Sequence, residues 1–372
     1  MDVCFFKKNF YVSRVAMIAL AGAAAGTARG GAGVKVSLKA LSEALGLSRT
    51  TVSRALNGYD DVSEATRARV AAAAREMGYV ADSAARRLAT GRADVIGMIY
   101  PFGGEDLGDA RFGEVVAGVT ERLAEHELDF IVAAARPGAE LETYRRLVDG
   151  KRIDGLIVAR TLVDDPRIAY LRSRAFPFVA YGRTNIAQPY ACFDFDNEAG
   201  ARLAVGRLLG FGHRRIAMIS APLSFSFAAQ RRAGFLAGLS EAGVPAEPEL
   251  LVQSALSHDG GMRAAQSLLA REPRPTALLV DNNIAGAGAF RALVDSRLGV
   301  GSDISLIVYD GVSSDTALPR RVTAVIQPTG QETGRQLAEL MLERLVDGTL
   351  SQRIRMPRIE AGDTDGPVAS RA

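Results

Sequence analysis

From residue 93 onward, short and continuously apolar runs alternate with amphipathic segments, and this pattern narrows the possible folds more than any other feature of the chain. Seven runs are predicted β-strands: Val95–Tyr100, Phe130–Val132, Gly155–Val158, Phe178–Tyr181, Ile216–Ile219, Ala277–Val280 and Ile304–Val308. Helical spacing lies between them, over Phe112–Glu127, Glu140–Val148, Glu198–Leu209 and Ala229–Ala242. Strands that are apolar throughout indicate parallel sheets covered on both faces. Residues 93–372 exceed one open sheet, so we predict two α/β lobes with a cleft.

The loops that follow the predicted strands are where a ligand is expected, because ligands of such sheets bind beyond the carboxyl ends of the strands. These loops carry arginine, asparagine and aspartate together with aromatic rings. This combination suits a small sugar, since planar polar groups pair with hydroxyls and aromatic faces pack on the sugar ring. The candidates are Gly182 and Arg183 after Tyr181, Phe195 in the segment Asp194–Asn197 that follows a strand ending near Cys192, and Arg231, Asn282, Asp310 and Gln327.

Four of these candidates also have a purely structural interpretation. Arg231 and Arg183 could be surface charges in water, Asp310 could cap a helix, and Phe195 could be an ordinary core residue. The sequence alone leaves these alternatives open.

Residues 34–79 have a different pattern and predict a small all-α headpiece. Ser37 is placed to cap a helix whose apolar face includes Leu41 and Leu45, and Gly46 is placed to end that helix. Ser48 is placed to cap a second short helix after a turn of a few residues. A third helix follows Ser63. The first two helices have the spacing of a helix-turn-helix motif, in which the second helix enters the major groove of DNA. An αα-hairpin that only packs is the alternative.

Charge is distributed unevenly along the chain. Residues 34–92 contain ten Lys and Arg against six Asp and Glu, whereas residues 93–372 contain 31 against 35. A polyanionic partner such as DNA is therefore expected at the front of the chain.

The headpiece resembles that of the lactose-repressor (LacI/GalR) family. The resemblance rests on Val36–Leu38, Leu47-Ser48, Thr51–Arg54, Leu56–Gly58, Val62-Ser63, Thr66-Arg67 and Met77–Tyr79. It implies a homodimeric repressor that binds double-stranded operator DNA, with Arg49 and Thr50 reading bases. The further DNA contacts that it implies are Ser37, Leu38, Ser48, Thr51, Ser53, Arg54 and Asn57. Residues 93–372 resemble the two-lobed periplasmic-binding-protein-like sensor domain of the same family.

Residues 80–92 resemble the hinge of that family, which is coil in the free protein and helical on the operator. The resemblance implies that Leu88 wedges into the minor groove and that Arg86 contacts phosphate. Ala81 and Asp82 stand where the family usually has proline and asparagine. An ordinary basic linker is the alternative.

The resemblance also implies roles in the sugar site. Arg231, in the pattern Arg-x-x-Gly-Phe, would bond sugar hydroxyls, as would Asn282 and Asp310. Phe195 would pack against the sugar ring, and Gln327 would lie at the edge of the site. Gly182 departs from the pattern, because many members have an aspartate there. The stretch Phe178–Arg183 is similar to members that control α-glucoside uptake, which indicates an α-glucoside as the effector.

Residues 1–33 resemble a signal peptide: Lys7, Lys8 and Arg14 precede the apolar run 15–26, which is too short to span a bilayer. A DNA-reading motif would have no use outside the cytoplasm. We therefore interpret residues 1–33 as a leader without a fold of its own, such as a start codon placed too far upstream, and expect a cytoplasmic protein with no membrane partner.

Two other classes of function remain alternatives. An exported sugar-binding protein of a transport system would explain residues 1–33 but not the headpiece. A sugar-modifying enzyme would need catalytic groups, and His126, His213 and His258 lie at no metal-ligand spacing and beside no nucleophile. Cys4 and Cys192 are far apart and form no metal motif. We predict no catalytic activity, no metal and no cofactor.

Overall fold

The computed structural model describes residues 36–79, 91–101, 110–136, 138–312 and 320–368. The predicted leader and residues 80–90 of the predicted hinge, with Arg86 and Leu88, lie outside these ranges. Within them the fold consists of three headpiece helices followed by two six-stranded sheets covered by helices. This confirms the predicted fold class. In the same ranges, every helix is too short or too polar to cross a membrane.

The headpiece helices begin where the serine caps predict. They are α1 (Leu38–Leu45), α2 (Arg49–Leu56) and α3 (Glu64–Glu76). The hydroxyls of Ser37, Ser48 and Ser63 accept hydrogen bonds from the backbone N–H three residues later, at 3.2, 3.0 and 3.3 Å. Gly46 ends α1 in the left-handed conformation, at φ +66°. The buried centre consists of Leu41, Leu45, Val52, Ala55, Val62, Val70 and Ala74.

Lobe 1 is built on a parallel sheet with the strand order β11-β5-β4-β3-β1-β2. Its strands are β1 (Val95–Tyr100), β2 (Asp129–Ala134), β3 (Gly155–Val158), β4 (Phe178–Tyr181), β5 (Cys192–Phe195) and β11 (Gln352–Arg355). Its helices are α4 (Ala110–Ala124), α5 (Glu140–Asp149), α6 (Pro166–Ser173) and α11 (Gly330–Val346).

Lobe 2 has the order β12-β10-β9-β8-β6-β7 and is parallel except for β12, which runs antiparallel to β10. Its strands are β6 (Ile216–Ser220), β7 (Leu251–Gln253), β8 (Ala277–Val280), β9 (Ser305–Tyr309), β10 (Thr323–Ile326) and β12 (Arg358–Glu360). Its helices are α7 (Asn197–Gly210), α8 (Ser226–Glu241), α9 (His258–Leu269) and α10 (Asn283–Asp295).

The described chain passes between the lobes three times: from β5 to α7, from β10 to α11, and from β11 to β12. A backbone hydrogen bond of 2.9 Å from Asp196 N to Arg355 O ties the first crossing to the third. The carboxyl ends of both sheets therefore face one shared region.

One predicted strand boundary was wrong. β5 begins at Cys192 rather than ending near it, so Asp194 and Phe195 are strand residues and not loop residues. Asp194 is buried there, which is possible because its carboxylate accepts hydrogen bonds from Arg183, from the Phe195 backbone and from Asn197.

Glycines allow three helix pairs to approach until backbone meets backbone. A Cβ at Gly118 or Gly334 would overlap the partner helix in the α4–α11 pair, and a Cβ at Gly234 would do so between α7 and α8. In the α9–α10 pair, a Cβ at Gly288 would overlap the carbonyl oxygen of His258. These helix pairs are therefore rigid supports for the strand ends.

We predict opposite effects from two alanine substitutions in helices. Gly288→Ala should lower the free energy of unfolding by about 1–3 kcal/mol, because α9 and α10 must separate to admit the methyl group. Gly206→Ala, in α7 with no atom within 4 Å of the new Cβ, should raise it by up to about 1 kcal/mol through helix propensity. Urea denaturation of both variants measures the difference between their free energies of unfolding. Equal changes in the two variants would contradict the close approach of α9 and α10.

Candidate functional site

A cavity of about 170 Å³ lies between the carboxyl ends of the two sheets. One set of lining residues is aromatic: Tyr100, Phe112, Tyr181, Phe195 and Phe227. The other is polar: Arg111, Arg160, Thr161, Asp194, Asn197, Arg231, Asn282, Asn283, Asp310 and Gln327. Burial raises the pKa of the Tyr181 phenol, an effect that nearby Arg111 opposes, so the phenol remains a neutral hydrogen-bonding group.

The structure brings together six of the seven residues that the sequence suggested: Gly182, Phe195, Arg231, Asn282, Asp310 and Gln327 all line the cavity. Arg183 does not line it. Its Nε donates to Asp194 Oδ2 at 2.7 Å, and its Nη2 donates to the carbonyl of Phe195 at 3.3 Å. Arg183 therefore supports the wall that carries Phe195 instead of facing a ligand.

Arg231 is held firmly on the cavity wall by aromatic rings and hydrogen bonds. Its guanidinium lies 3.8 Å from the ring centroid of Tyr309 and 5.0 Å from that of Phe227. Its Nε donates to Asn197 Oδ1 at 2.8 Å, and its Nη1 donates to the carbonyl of Asp281. These contacts bury Arg231 in a fixed orientation, which suits a donor that recognises a ligand by geometry.

Asn282 has a structural task as well as a place on the cavity wall. Its Oδ1 accepts from Ala285 N at 2.8 Å, which caps α10, and its Nδ2 donates to Asp281 Oδ1 at 2.7 Å. Burial raises the pKa of Asp281, whereas Arg231 and the hydrogen bonds from Asn282 and Ala221 oppose the rise. Asp281, behind the wall, holds Asn282 and the first turn of α10 in place.

Asp310 stands in the left-handed region at φ +60°, which is costly for a residue with a side chain. Arg111 Nη1 approaches Asp310 Oδ1 to 3.3 Å, and Arg111 Nη2 donates to Gln327 Oε1 at 3.3 Å and to Pro328 O at 3.0 Å. Arg111 belongs to lobe 1 and Asp310 to lobe 2. Their contact therefore spans the cleft.

Arg111 and Asn197 are cavity residues that were not among the seven candidates, although Asn197 belongs to the segment Asp194–Asn197 that the sequence placed after a strand. Asn197 follows β5 by two positions at the start of α7, so its place after a strand end was a usable signal. Its Nδ2 contacts Asp194 Oδ1 at 3.3 Å and Gln230 Oε1 at 2.9 Å. Arg111 lies on a helix before the next strand, and no local pattern marks it.

The headpiece presents a second candidate surface at the start of α2. Arg49 and Thr50 are exposed, as expected of residues that reach DNA. Most of the other predicted contacts also have partners inside the headpiece: Ser37 and Ser48 cap helices, Thr51 bonds Ser48 at 2.8 Å, Ser53 accepts from Asn57 at 3.4 Å, and Leu38 packs on the core.

Arg54 is held by the headpiece itself. Its Nε donates to Asp61 Oδ1 at 3.0 Å, its Nη2 lies 2.6 Å from Asp61 Oδ2, and its guanidinium is 4.7 Å from the ring centroid of Tyr59. This arrangement ties the end of α2 to the loop that follows it.

Two family models match the chain. Residues 37–82 match bacterial regulatory proteins of the lacI family, and residues 93–361 match periplasmic binding proteins and the sugar binding domain of the LacI family. The HTH-type transcriptional regulator RafR of Escherichia coli is 40% identical over 322 residues, which cover 86% of this chain and 95% of that protein.

Two solved structures are similar over nearly the same span. The complex of the transcriptional regulator CelR with cellobiose is 29% identical, with a TM-score of 0.68, and the match covers 89% of this chain and 100% of that one. The lac repressor dimer bound to operator and the anti-inducer ONPF is 26% identical, with a TM-score of 0.75, and covers 89% of this chain and 99% of that one.

Gly182 allows a direct test of how the cavity wall is built. Its φ of +112° suits glycine, and a Cβ there would overlap Thr161 Oγ1. We predict that Gly182→Ala lowers the free energy of unfolding more than Gly243→Ala does. Gly243 also has a positive φ, +65°, but no atom lies within 4 Å of its added Cβ, so that variant carries only the conformational cost of about 1–2 kcal/mol. Urea denaturation of both variants measures the difference between their free energies of unfolding. Equal losses in the two variants would show that Thr161 does not restrict the residue at position 182.

Proposed function

This chain belongs to the LacI family of bacterial regulatory proteins, and we propose that it represses transcription from operator DNA until a small neutral sugar binds between its two lobes. The observation that carries the proposal is the cavity itself, where a fixed guanidinium, an amide and a carboxylate face five aromatic side chains. Such a surface bonds hydroxyls on one side and packs on a sugar ring on the other.

The charges around the cavity support a neutral ligand. Arg111 faces Asp310, Arg183 is bonded to Asp194, and the charge of Arg231 acts on the buried carboxylate of Asp281. Because each of these three cations lies near a carboxylate, they offer little excess charge to an anionic ligand such as a sugar phosphate. The other cavity arginine, Arg160, lies with its guanidinium 4.6 Å from the ring centroid of Tyr100. A sugar hydroxyl can both donate and accept hydrogen bonds, so it can bind an arginine and its carboxylate partner at the same time.

The effector that we propose is an α-glucoside. The sequence of Phe178–Arg183 supports an α-glucoside. The complex of CelR with cellobiose supports a glycoside in a cleft of this kind. We also propose a cytoplasmic homodimer, in line with the lac repressor dimer on its operator. Two copies would place two α2 helices about one turn of DNA apart.

Arg49 and Thr50 are our proposed base-reading residues, because they are exposed at the first turn of α2. The roles of Arg86 and Leu88 remain predictions from the sequence. Arg54 would act by fixing the loop after α2, through Asp61, as much as by contacting DNA. The alternative of an exported sugar-binding protein would leave the folded headpiece of residues 36–79 without a function. The alternative of a sugar-modifying enzyme receives no support from the relatives described above, which are regulators.

We predict that Arg49→Ala relaxes sequence preference. Selection from a random duplex library with the wild-type protein first supplies the operator probe. On that probe the variant should lose about 1–3 kcal/mol of binding free energy, and on unrelated duplexes it should lose much less, because a base contact is read only at its own site. An equal loss on every duplex would show that Arg49 contacts phosphate.

We predict that Arg231→Ala loses the response to sugar and keeps operator binding. A thermal-shift panel of sucrose, maltose, trehalose, melibiose and cellobiose identifies the effector of the wild-type protein, since a ligand at 100 times its Kd adds about 2.7 kcal/mol to the free energy of unfolding. The variant should show no shift with that sugar. The neighbouring Arg232→Ala, which is off the cavity wall, should keep it. An Arg231→Ala protein that sugar still releases from DNA would contradict the assignment.

A further inference from the structure

Arg111 is a cavity arginine of lobe 1 that contacts cavity residues of lobe 2. It stands at the start of α4, and its guanidinium reaches Asp310 in the loop after β9 and Gln327 in the crossing from β10 to α11. A single side chain therefore meets two residues that the sequence assigned to the ligand, from the opposite side of the cleft.

The polar atoms beside Arg111 are not all satisfied. Asp310 Oδ1 and Gln327 Nε2 are buried, and neither has a hydrogen-bond partner within the described chain. The 3.3 Å approach of Arg111 Nη1 to Asp310 Oδ1 lacks the geometry of a hydrogen bond. One of these atoms is an acceptor and the other a donor, and both belong to cavity residues. Unpaired buried groups of opposite kind are what a ligand hydroxyl can satisfy.

We propose that Arg111 is an effector-binding residue, and that it and Asp310 hold sugar hydroxyls between them. This inference rests on the proposed function of the cleft. A hydroxyl placed there donates to Asp310 Oδ1 and accepts from the Arg111 guanidinium, while Gln327 Nε2 donates to the same or a neighbouring hydroxyl. The charged partners make these bonds stronger than neutral ones.

The consequence of this arrangement is that sugar affinity depends on how the lobes face each other. The two partners of the hydroxyl come from different lobes, so both can bind it only when the cleft is closed. A ligand shifts an equilibrium only by its difference in affinity for the two states. Arg111 and Asp310 supply such a difference.

A second contact between the lobes lacks this property. Backbone hydrogen bonds of 2.9 Å join Val163 N to Ser224 O and Ser226 N to Thr161 O, around the bridge between Leu162 and Phe225. These bonds hold the lobes together through main-chain atoms and are complete without a ligand. The side-chain contact at Arg111 differs from them, because Asp310 Oδ1 beside it still lacks a hydrogen bond that a sugar can supply.

The test compares Arg111→Met with Arg335→Met. Methionine keeps an unbranched apolar stem and removes the guanidinium with its charge. Arg335 forms an exposed ion pair with Glu121 away from the cavity, so Arg335→Met is the matched control. Isothermal titration uses the disaccharide of the panel that shifts the wild-type protein most. We expect the Kd to rise at least tenfold for Arg111→Met, to rise less for Arg111→Lys, and to stay unchanged for Arg335→Met. Operator binding without sugar should survive in all three, which also shows that they fold.

A double-mutant cycle makes the test independent of any single variant. If Arg111 and Asp310 bind the same hydroxyls, Arg111→Met combined with Asp310→Asn should weaken binding by less than the product of the two separate effects. An unchanged Kd in Arg111→Met would overturn the inference, and so would tighter binding, because it would show that Arg111 competes with the sugar for Asp310. If no sugar binds the wild-type protein, the proposed function fails instead, which is a distinguishable result.

Discussion

The hydrogen bond from Arg231 Nε to Asn197 Oδ1 fixes the cavity's buried guanidinium on the residue at which the chain crosses from lobe 1 to lobe 2. Asn197 lies where the chain leaves β5 for α7, and it also contacts Asp194 of lobe 1. Both groups are buried, and hydrogen bonds must satisfy them, because an unpaired buried polar group costs about 1–3 kcal/mol or more. This bond and the one from Arg231 Nη1 to the carbonyl of Asp281 together allow the guanidinium to be buried over Tyr309. The geometry of the sugar-facing donor and the connection between the lobes thus have a common origin.

The sequence predicts those parts of the molecule that local physics decides. The serine caps place the headpiece helices because capping involves neighbouring residues, and apolar runs identify the buried strands. The residues just after strands lie together because parallel strands end at one edge, which is why Asp310 and Gln327 could be found. The strands β11 and β12 were not predicted, because their exposed edges have no continuous apolar run. Arg111 was not predicted as a cavity residue, because its position on a helix relative to the cleft depends on packing. Arg183 was misplaced because sequence does not show that Asp194 is its partner.

Paired charges give the cavity its selectivity for the class of ligand that we propose. An arginine with a carboxylate partner keeps its donors while its net charge is cancelled nearby, so the site can bind hydroxyls without attracting anions. The aromatic side chains supply the apolar half of the same surface. Gly182 belongs to the same wall, where its φ of +112° suits glycine and an added Cβ would overlap Thr161 Oγ1.

Three neighbouring crossings between the lobes also determine what kind of movement a sugar can cause. A single connection would let the lobes rotate freely about it. Three connecting segments, two of which are joined by the backbone hydrogen bond between Asp196 and Arg355, resist sliding and twisting of one lobe against the other. The movement that these connections permit is a bend of the two lobes about the crossings. The headpiece precedes β1 of lobe 1 in the chain. A bend of the lobes caused by the sugar would therefore also move the start of β1, through which lobe 1 is connected to the headpiece.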